Sequence, residues 1–162
     1  MNQIEITKAH QDDILEIKKI LSIVWDNTYK NIIPTNIIEE IKGTSHSINN
    51  LKLQINNPEI IFNLAKDNDK IVGILTAISQ SKTYFLKRLY ILPGMQGKGI
   101  GDKLLNDFIN SNDIDKLILE VALDNLKAIK FYEKQGFIKA SEKIDKILDF
   151  ELKSLIMTKF FK

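Results

Sequence analysis

The sequence predicts an α/β fold, with strands and helices alternating around a mixed sheet. Three observations carry that reading. Short apolar runs of strand length recur along the chain, separated by stretches whose apolar residues repeat at helical spacing. Asp67-Asn68-Asp69-Lys70 stands between two such runs and has the composition of a hairpin turn. A glycine-rich segment, Gln96 to Gly101, joins a strand-like run to an amphipathic helix.

In chain order, Ile4 and Ile6 alternate with polar neighbours as a short first strand. Asp12 and Asp13 open a helix, where negative charge suits the dipole. Ile14, Ile17, Leu21, Val24 and Trp25 form its apolar stripe, and it frays near Asn27 to Asn31. A second helix is expected over Asn36 to Lys42, stopped by Gly43, and a third within Ser47 to Asn56, before Asn57-Pro58 breaks the chain. Strands follow over 60–65, 71–79 and 83–92, with Gly73 a candidate bulge. After the glycine segment a helix runs to about Asn112. Next come a strand over 117–121, a helix over 125–135 closed by Gly136 as a left-handed cap, and two strands over 137–142 and 151–160. No repeat, linker or low-complexity stretch interrupts this, so residues 1–162 read as a single domain long enough for a substantial core.

Composition narrows the function. A charged share of 27% and an apolar share of 44% describe a soluble globular chain. The net charge is +2 with both signs interspersed, which leaves no basic footprint for nucleic acid. Without cysteine there is no disulfide, thiolate metal site or cysteine nucleophile. His10 and His46 are the only histidines; both read as surface residues, and neither a metal centre nor a Ser-His-Asp hydrolase is expected. The chain opens without signal-peptide character and holds no apolar run near the ~20 residues of a membrane span, so a cytoplasmic location without membrane partners is expected.

The informative stretch is Gln96-Gly97-Lys98-Gly99-Ile100-Gly101. A tight glycine turn leading into a helix leaves free N–H groups at the positive end of the dipole, a setting for phosphate or diphosphate. Lys98 adds a cation there, or is simply solvated. The segment lacks the Gly-Lys-Ser/Thr ending of a Walker loop, and its Gly-x-Gly-x-Gly spacing is not that of a dinucleotide fold.

Gln96-x-x-Gly99-x-Gly101, preceded by Leu89-Tyr90-Ile91-Leu92-Pro93, resembles the acetyl-CoA-binding motif of GNAT-type N-acetyltransferases. Asn125-x-x-Ala128-Ile129-x-Phe131-Tyr132-Glu133-Lys134-x-Gly136-Phe137 resembles that family's second motif. The resemblance implies a mostly antiparallel sheet of six or seven strands, splayed between the strands at 83–92 and 117–121. It implies acetyl-CoA as co-substrate, with no metal. The pantetheine arm would pair with the main chain of Leu89, Tyr90 and Ile91 as an added strand does. The diphosphate would lie on the N–H groups of Gln96, Gly97, Lys98, Gly99, Ile100 and Gly101. Asp102 departs from the common pattern and is expected to point away from the phosphates. Lys134 either approaches the phosphates or is a surface lysine.

Asn125 and Tyr132 share a helix face, about 10 Å apart at ~1.5 Å per residue. The family match implies that Asn125 holds the pantetheine amides and that Tyr132 protonates the departing thiolate as general acid. The alternative is a tyrosine whose ring merely packs on the sheet. Glu120 is a lone carboxylate in an apolar strand. Leu119-Glu120-Val121 followed by Asn125 resembles the ribosomal-protein acetyltransferases, in which this glutamate takes the amine's proton. The other readings are an edge-strand charge and a water relay. Trp25 and Tyr29 lie where the family walls its acceptor pocket, although Trp25 equally fits its helix's core stripe. Arg88 either pairs with a carboxylate or is solvated. The segments around Trp25 and Arg88 are most similar to the branch that includes polyamine acetyltransferases. The acceptor expected is therefore a small primary amine, polyamines first, with a protein N-terminus or lysine as the second reading. A non-catalytic acyl-CoA sensor is the reading of another class. A homodimer paired along the last strands is a further expectation from the family's habit.

Overall fold

The computed structural model describes residues 3–161. Among the described residues seven strands make one sheet: β1 (Ile4–Lys8), β2 (Ile60–Asp67), β3 (Lys70–Gln80), β4 (Thr83–Ile91), β5 (Lys116–Ala122), β6 (Ile138–Ile147) and β7 (Phe150–Phe160). Their order is β1-β2-β3-β4-β5-β7-β6. Only β4 and β5 run parallel, as their helical crossover requires. The helices are α1 (Ile14–Tyr29), α2 (Thr35–Gly43), α3 (Ile48–Asn56), α4 (Ile100–Asn110) and α5 (Leu126–Lys134), with a 3-10 turn at Gln11–Asp13 leading into α1.

Each face of the sheet has its own core. Helix α4 turns Ile100, Leu104, Leu105 and Phe108 inward, spaced for one stripe, against Leu75, Ala77, Tyr84, Leu86 and Leu117. Burying each such side chain contributes about 1.5–3 kcal/mol. A Cβ at Gly73 would lie 2.9 Å from Leu104 Cδ1, so glycine there admits the close approach of α4 to β3. On the other face α1 and α3 cover Phe62, Leu64, Ile71 and Ile74. A third cluster, Ile33, Ile37 and Ile38, joins α2 to Trp25, Tyr29 and the tip of the β6–β7 hairpin through Ile147, Phe150 and Leu152.

The helices and strands fall close to their expected places. The larger differences lie in the last hairpin, where β6 runs to Ile147 rather than 142, and in the bulges. Leu148 takes a positive φ of 56° at the hairpin turn, and polar, charged residues along β6 had masked its alternation. Asn68 and Asp69 both take positive φ, as a two-residue hairpin turn requires.

Two irregularities set up the site. Strand β4 pairs with β5 only from Thr83 to Leu86, against Lys116 to Leu119; beyond that the strands part. In the β3–β4 ladder Thr76 opposes Arg88 and Ala77 opposes Leu86, so Lys87 is the extra residue of a bulge. One inserted residue reverses the faces. Tyr84 and Leu86 point toward α4, whereas Tyr90 and Leu92 point toward α1 and α3.

Candidate active site

Where β4 and β5 part, a cavity of about 600 Å³ runs from the glycine turn to the end of α1. Its lining includes Leu89, Tyr90, Ile91, Gln96, Gly97, Gly99, Ile100, Gly101, Glu120, Asn125, Tyr132, Lys134 and Tyr29. Of the residues expected at the site, Lys98 and Trp25 are not in this wall. Lys98 is exposed, with Met95 Sδ 3.9 Å from its Nζ. Trp25 packs into the third cluster, tilted against Tyr29 at 4.4 Å and edge-on to His46 at 5.2 Å.

At one end the main chain dominates. Among the described residues, apart from Lys98 at the turn over 96–97, no protein acceptor meets the N–H groups of residues 96–102; the first helical bond there is Lys103 N–H to Gly99 O. Gly99 caps α4 at φ 79°, a conformation that penalises any Cβ, and the space over it is open to 4 Å. A cradle with unpaired donors, a helix dipole and room above its glycines fits a diphosphate. The Gln96 side chain donates to Ile91 O at 3.2 Å and accepts from Lys127 Nζ at 2.5 Å, tying the turn to α5. Lys127 lines the cavity and is a cation the sequence did not single out. Asp102 also borders the cavity, but its carboxylate accepts a hydrogen bond from the Gln135 side chain.

The Asn125 side chain caps α5, accepting from Ala128 N–H at 3.3 Å. This leaves its amide N–H₂ for a ligand. Tyr132, two turns on, is both core and cavity wall. Its ring meets Phe131 at 5.3 Å and Phe137 at 5.5 Å edge-on, while its hydroxyl has no partner among the described residues. Burial, then the nearby Tyr90, raises its pKa well above that of an ordinary phenol. It therefore stays protonated and acts as a donor throughout neutral pH.

Side chains dominate the other end. Tyr90 and Tyr29 face each other there. Tyr29 is raised well above an ordinary phenol, first by Tyr90 and then by burial. Tyr90 is raised by burial, against the opposing pull of Arg88. Glu120 stands beyond the last β4–β5 pair, on the face opposite Leu119 and Val121. Its Oε1 receives Lys143 Nζ at 2.7 Å, and Lys143 also reaches Asp145 at 3.0 Å. These contacts raise the lysine's pKa, with the bond to Glu120 the larger cause.

His46 overturns its expectation as a surface residue: it is 4% exposed. It lies among Trp25 and the segment following α2, its Nδ1 unpartnered. Burial, then Arg88, Lys18 and Lys42, lower its pKa to about 3. His10 is exposed, as expected.

Residues 19–137 match the acetyltransferase (GNAT) family. The chain belongs to this family. It is 28% identical over 96 residues to the uncharacterized N-acetyltransferase YhfO of Bacillus subtilis, spanning 54% of this chain and 64% of that protein. The matches to curated relatives cover less than two thirds of those proteins' lengths. Among solved structures, the PaiA N-acetyltransferase of Thermoplasma acidophilum in complex with coenzyme A superposes with a TM-score of 0.86 at 25% identity, covering 98% of this chain and 99% of that one. The spermidine N-acetyltransferase of Vibrio cholerae in complex with CoA and spermine shares the fold, with a TM-score of 0.71 at 18% identity over 98% of this chain and 95% of that one. Among the described residues no group of metal-binding side chains occurs, and no helix is long and apolar enough to cross a membrane.

Proposed function

We propose that this GNAT protein is an N-acetyltransferase that moves the acetyl group of acetyl-CoA directly to a small primary amine in a ternary complex. The observation that carries the reading is one continuous cavity joining an unpaired main-chain cradle, an unpartnered buried phenol and a carboxylate. The diphosphate would rest on the N–H groups of the turn, with Lys127 and Lys134 beside it. The pantetheine would pair with the free edge of β4 from Leu89 to Ile91 and with Asn125.

The amine nitrogen then attacks the thioester carbon, the C–S bond breaks, and coenzyme A leaves as a thiolate. An alkylammonium of pKa roughly 10.4 must first lose a proton. Glu120, at the parting of β4 and β5, would take it, with Lys143 2.7 Å from its carboxylate. Tyr132 acts at the leaving sulfur. A thiol has a pKa near 8.5, so full proton transfer from a phenol above 10 is uphill by roughly 2 kcal/mol or more. Its main contribution is therefore a hydrogen bond to the developing thiolate, with proton delivery following.

Polyamines are the acceptor that the sequence likeness puts first. The cavity offers a polycation two carboxylates, Glu120 and Asp102, both already engaged. A thiol-release assay with acetyl-CoA against amines and peptides tests the whole reading. Turnover with a small amine supports it. Coenzyme A binding without turnover would favour an acyl-CoA sensor, and turnover of peptides alone would favour a protein acceptor.

A further inference from the structure

Arg88 is a cation without an acid. The bulge at Lys87 turns it toward α3, where its Nη1 donates to Gln54 Oε1 at 2.7 Å and its guanidinium lies 6.0 Å from the Phe62 ring centre. Among the described residues no Asp or Glu pairs with it. Of five N–H donors on a guanidinium, the protein uses one. Its free nitrogens are not sealed in the core, for none is among the buried unpartnered atoms, and the residue borders the cavity. It keeps some exposed surface there, yet protein surrounds it closely enough that desolvation lowers its pKa. An arginine does not escape that penalty by losing its proton; it binds an anion.

Two other cations near the cavity have occupations. Lys18 donates to the carbonyls of Lys42 and His46, and Lys127 binds Gln96. Arg88 stands at the acceptor end, on the same face as Tyr90 and one strand step of about 7 Å away. Across the mouth of the splay is Glu120, one residue past Leu119, while Arg88 is two past Leu86. Arg88, Glu120 and the Tyr132 phenol thus border one cavity. The cavity's charged lining is Lys87, Arg88, Lys127 and Lys134 against Asp102 and Glu120, an excess of positive charge that disfavours a polycation.

We infer that the acceptor is a small amine bearing a carboxylate, an amino acid or close relative, whose acid group pairs with Arg88 while its amine lies toward Glu120 and Tyr132. This rests on the acetyl-transfer reading above and names the acceptor class within it. A planar guanidinium matches a carboxylate with two parallel hydrogen bonds, which is why arginine rather than lysine suits the position. Gln54 is a positioning residue that fixes the fork.

The test compares kcat/KM for acceptor pairs that differ only in the carboxylate: lysine against cadaverine, ornithine against putrescine, phenylalanine against phenethylamine. Spermidine and O-phosphoethanolamine complete the panel. The wild-type protein is expected to favour the carboxylated member of at least one pair by tenfold or more. Arg88→Gln should bring that ratio near one, chiefly through KM, Arg88→Lys should recover part of it, and Gln54→Leu should fall between. Because the readout is a ratio within one variant, loss of folded protein does not imitate it. Preference for the decarboxylated amines, spermidine or phosphoethanolamine, or a ratio unmoved by Arg88→Gln, overturns the inference and leaves acetyl transfer standing. No thiol release with any amine overturns both.

Discussion

The two ends of the cavity are built on different principles. The turn from Gln96 to Gly101 offers a ligand main-chain donors from consecutive residues, and side chains there matter mostly by being small. The acceptor end offers side chains from separate elements: Tyr29 at the end of α1, Arg88 and Tyr90 beyond a bulge, and Glu120 on a parting strand. The first design would hold a diphosphate through the main chain, which depends little on side-chain identity. The second is set by single residues, so it is where an acceptor can be chosen. Substitutions at the first end should change co-substrate affinity, and those at the second should change rate, pH profile or acceptor choice.

The strongest break in that comparison is expected at Tyr132, where the two ends meet. Tyr132→Phe keeps the ring that packs on Phe131 and Phe137 and removes only the unpartnered hydroxyl. By analogy with the loss of one donor to a developing anion, kcat should fall on the order of 10²-fold while coenzyme A affinity stays within about twofold. Equal losses of affinity and rate in stopped-flow and calorimetric measurements would make the phenol structural.

Next in size is Gly99→Ala. The backbone there holds φ 79°, and nothing in the protein occupies the space a Cβ would enter. Forcing an L side chain into this conformation destabilises by about 1–2 kcal/mol. It also places a methyl group where a diphosphate would rest, so coenzyme A affinity should fall about tenfold with little change in acceptor KM. A variant that binds coenzyme A as wild type does would remove the turn from the site.

How far these ends were legible follows from the same contrast. The cradle is contiguous and glycine-marked, so its place, the strand before it and the helix after it could all be read along the chain. Asn125 and Tyr132 could be read together because helical spacing fixes which residues share a face. Arg88 was not, because period-two alternation puts Leu86, Arg88 and Tyr90 on one side, and only the Lys87 bulge sends Arg88 and Tyr90 away from Leu86. Lys127 carries no periodic signal and is identified only by its reach to Gln96. His46 sits in a polar run, Thr44 to Asn50, whose composition reads as surface. Its burial comes from Trp25 and the elements around it, a tertiary effect that local sequence does not encode.

A smaller effect is expected from Glu120→Gln. Without a carboxylate at the splay, attack depends on amine already deprotonated in solution, a fraction that rises tenfold per pH unit below a pKa of roughly 10.4. The rate near neutrality should drop about three- to tenfold, and the pH optimum should move upward. Lys143 loses its closer partner in this variant but keeps Asp145 at 3.0 Å, which limits the structural disturbance. An unchanged pH–rate profile would assign proton removal to water.

The last expectation concerns stability rather than rate, and it too separates the ends. His46 belongs to the acceptor side, and its pKa is lowered to about 3, by burial first and then by Arg88, Lys18 and Lys42. A histidine in the unfolded chain has a pKa near 6.5. Between these values the unfolded state binds more protons, so stability is complete above about pH 6.5 and drains as pH falls toward 3. At pH 5 the deficit is about 2 kcal/mol, at ~1.4 kcal/mol per unit. It depends only on the folded pKa being well below 5. His46→Phe removes the titrating group and keeps an aromatic ring against Trp25. Its urea-unfolding free energy should change less between pH 7 and pH 5 than the wild type's, by about that amount. If opening is local, amide exchange at pH 5 should accelerate in α2 and the tip of the β6–β7 hairpin before it does in α4. The pH dependence would then belong to the end that selects the acceptor. Identical pH dependence in the two proteins would show that His46 takes up its proton without unfolding the acceptor side.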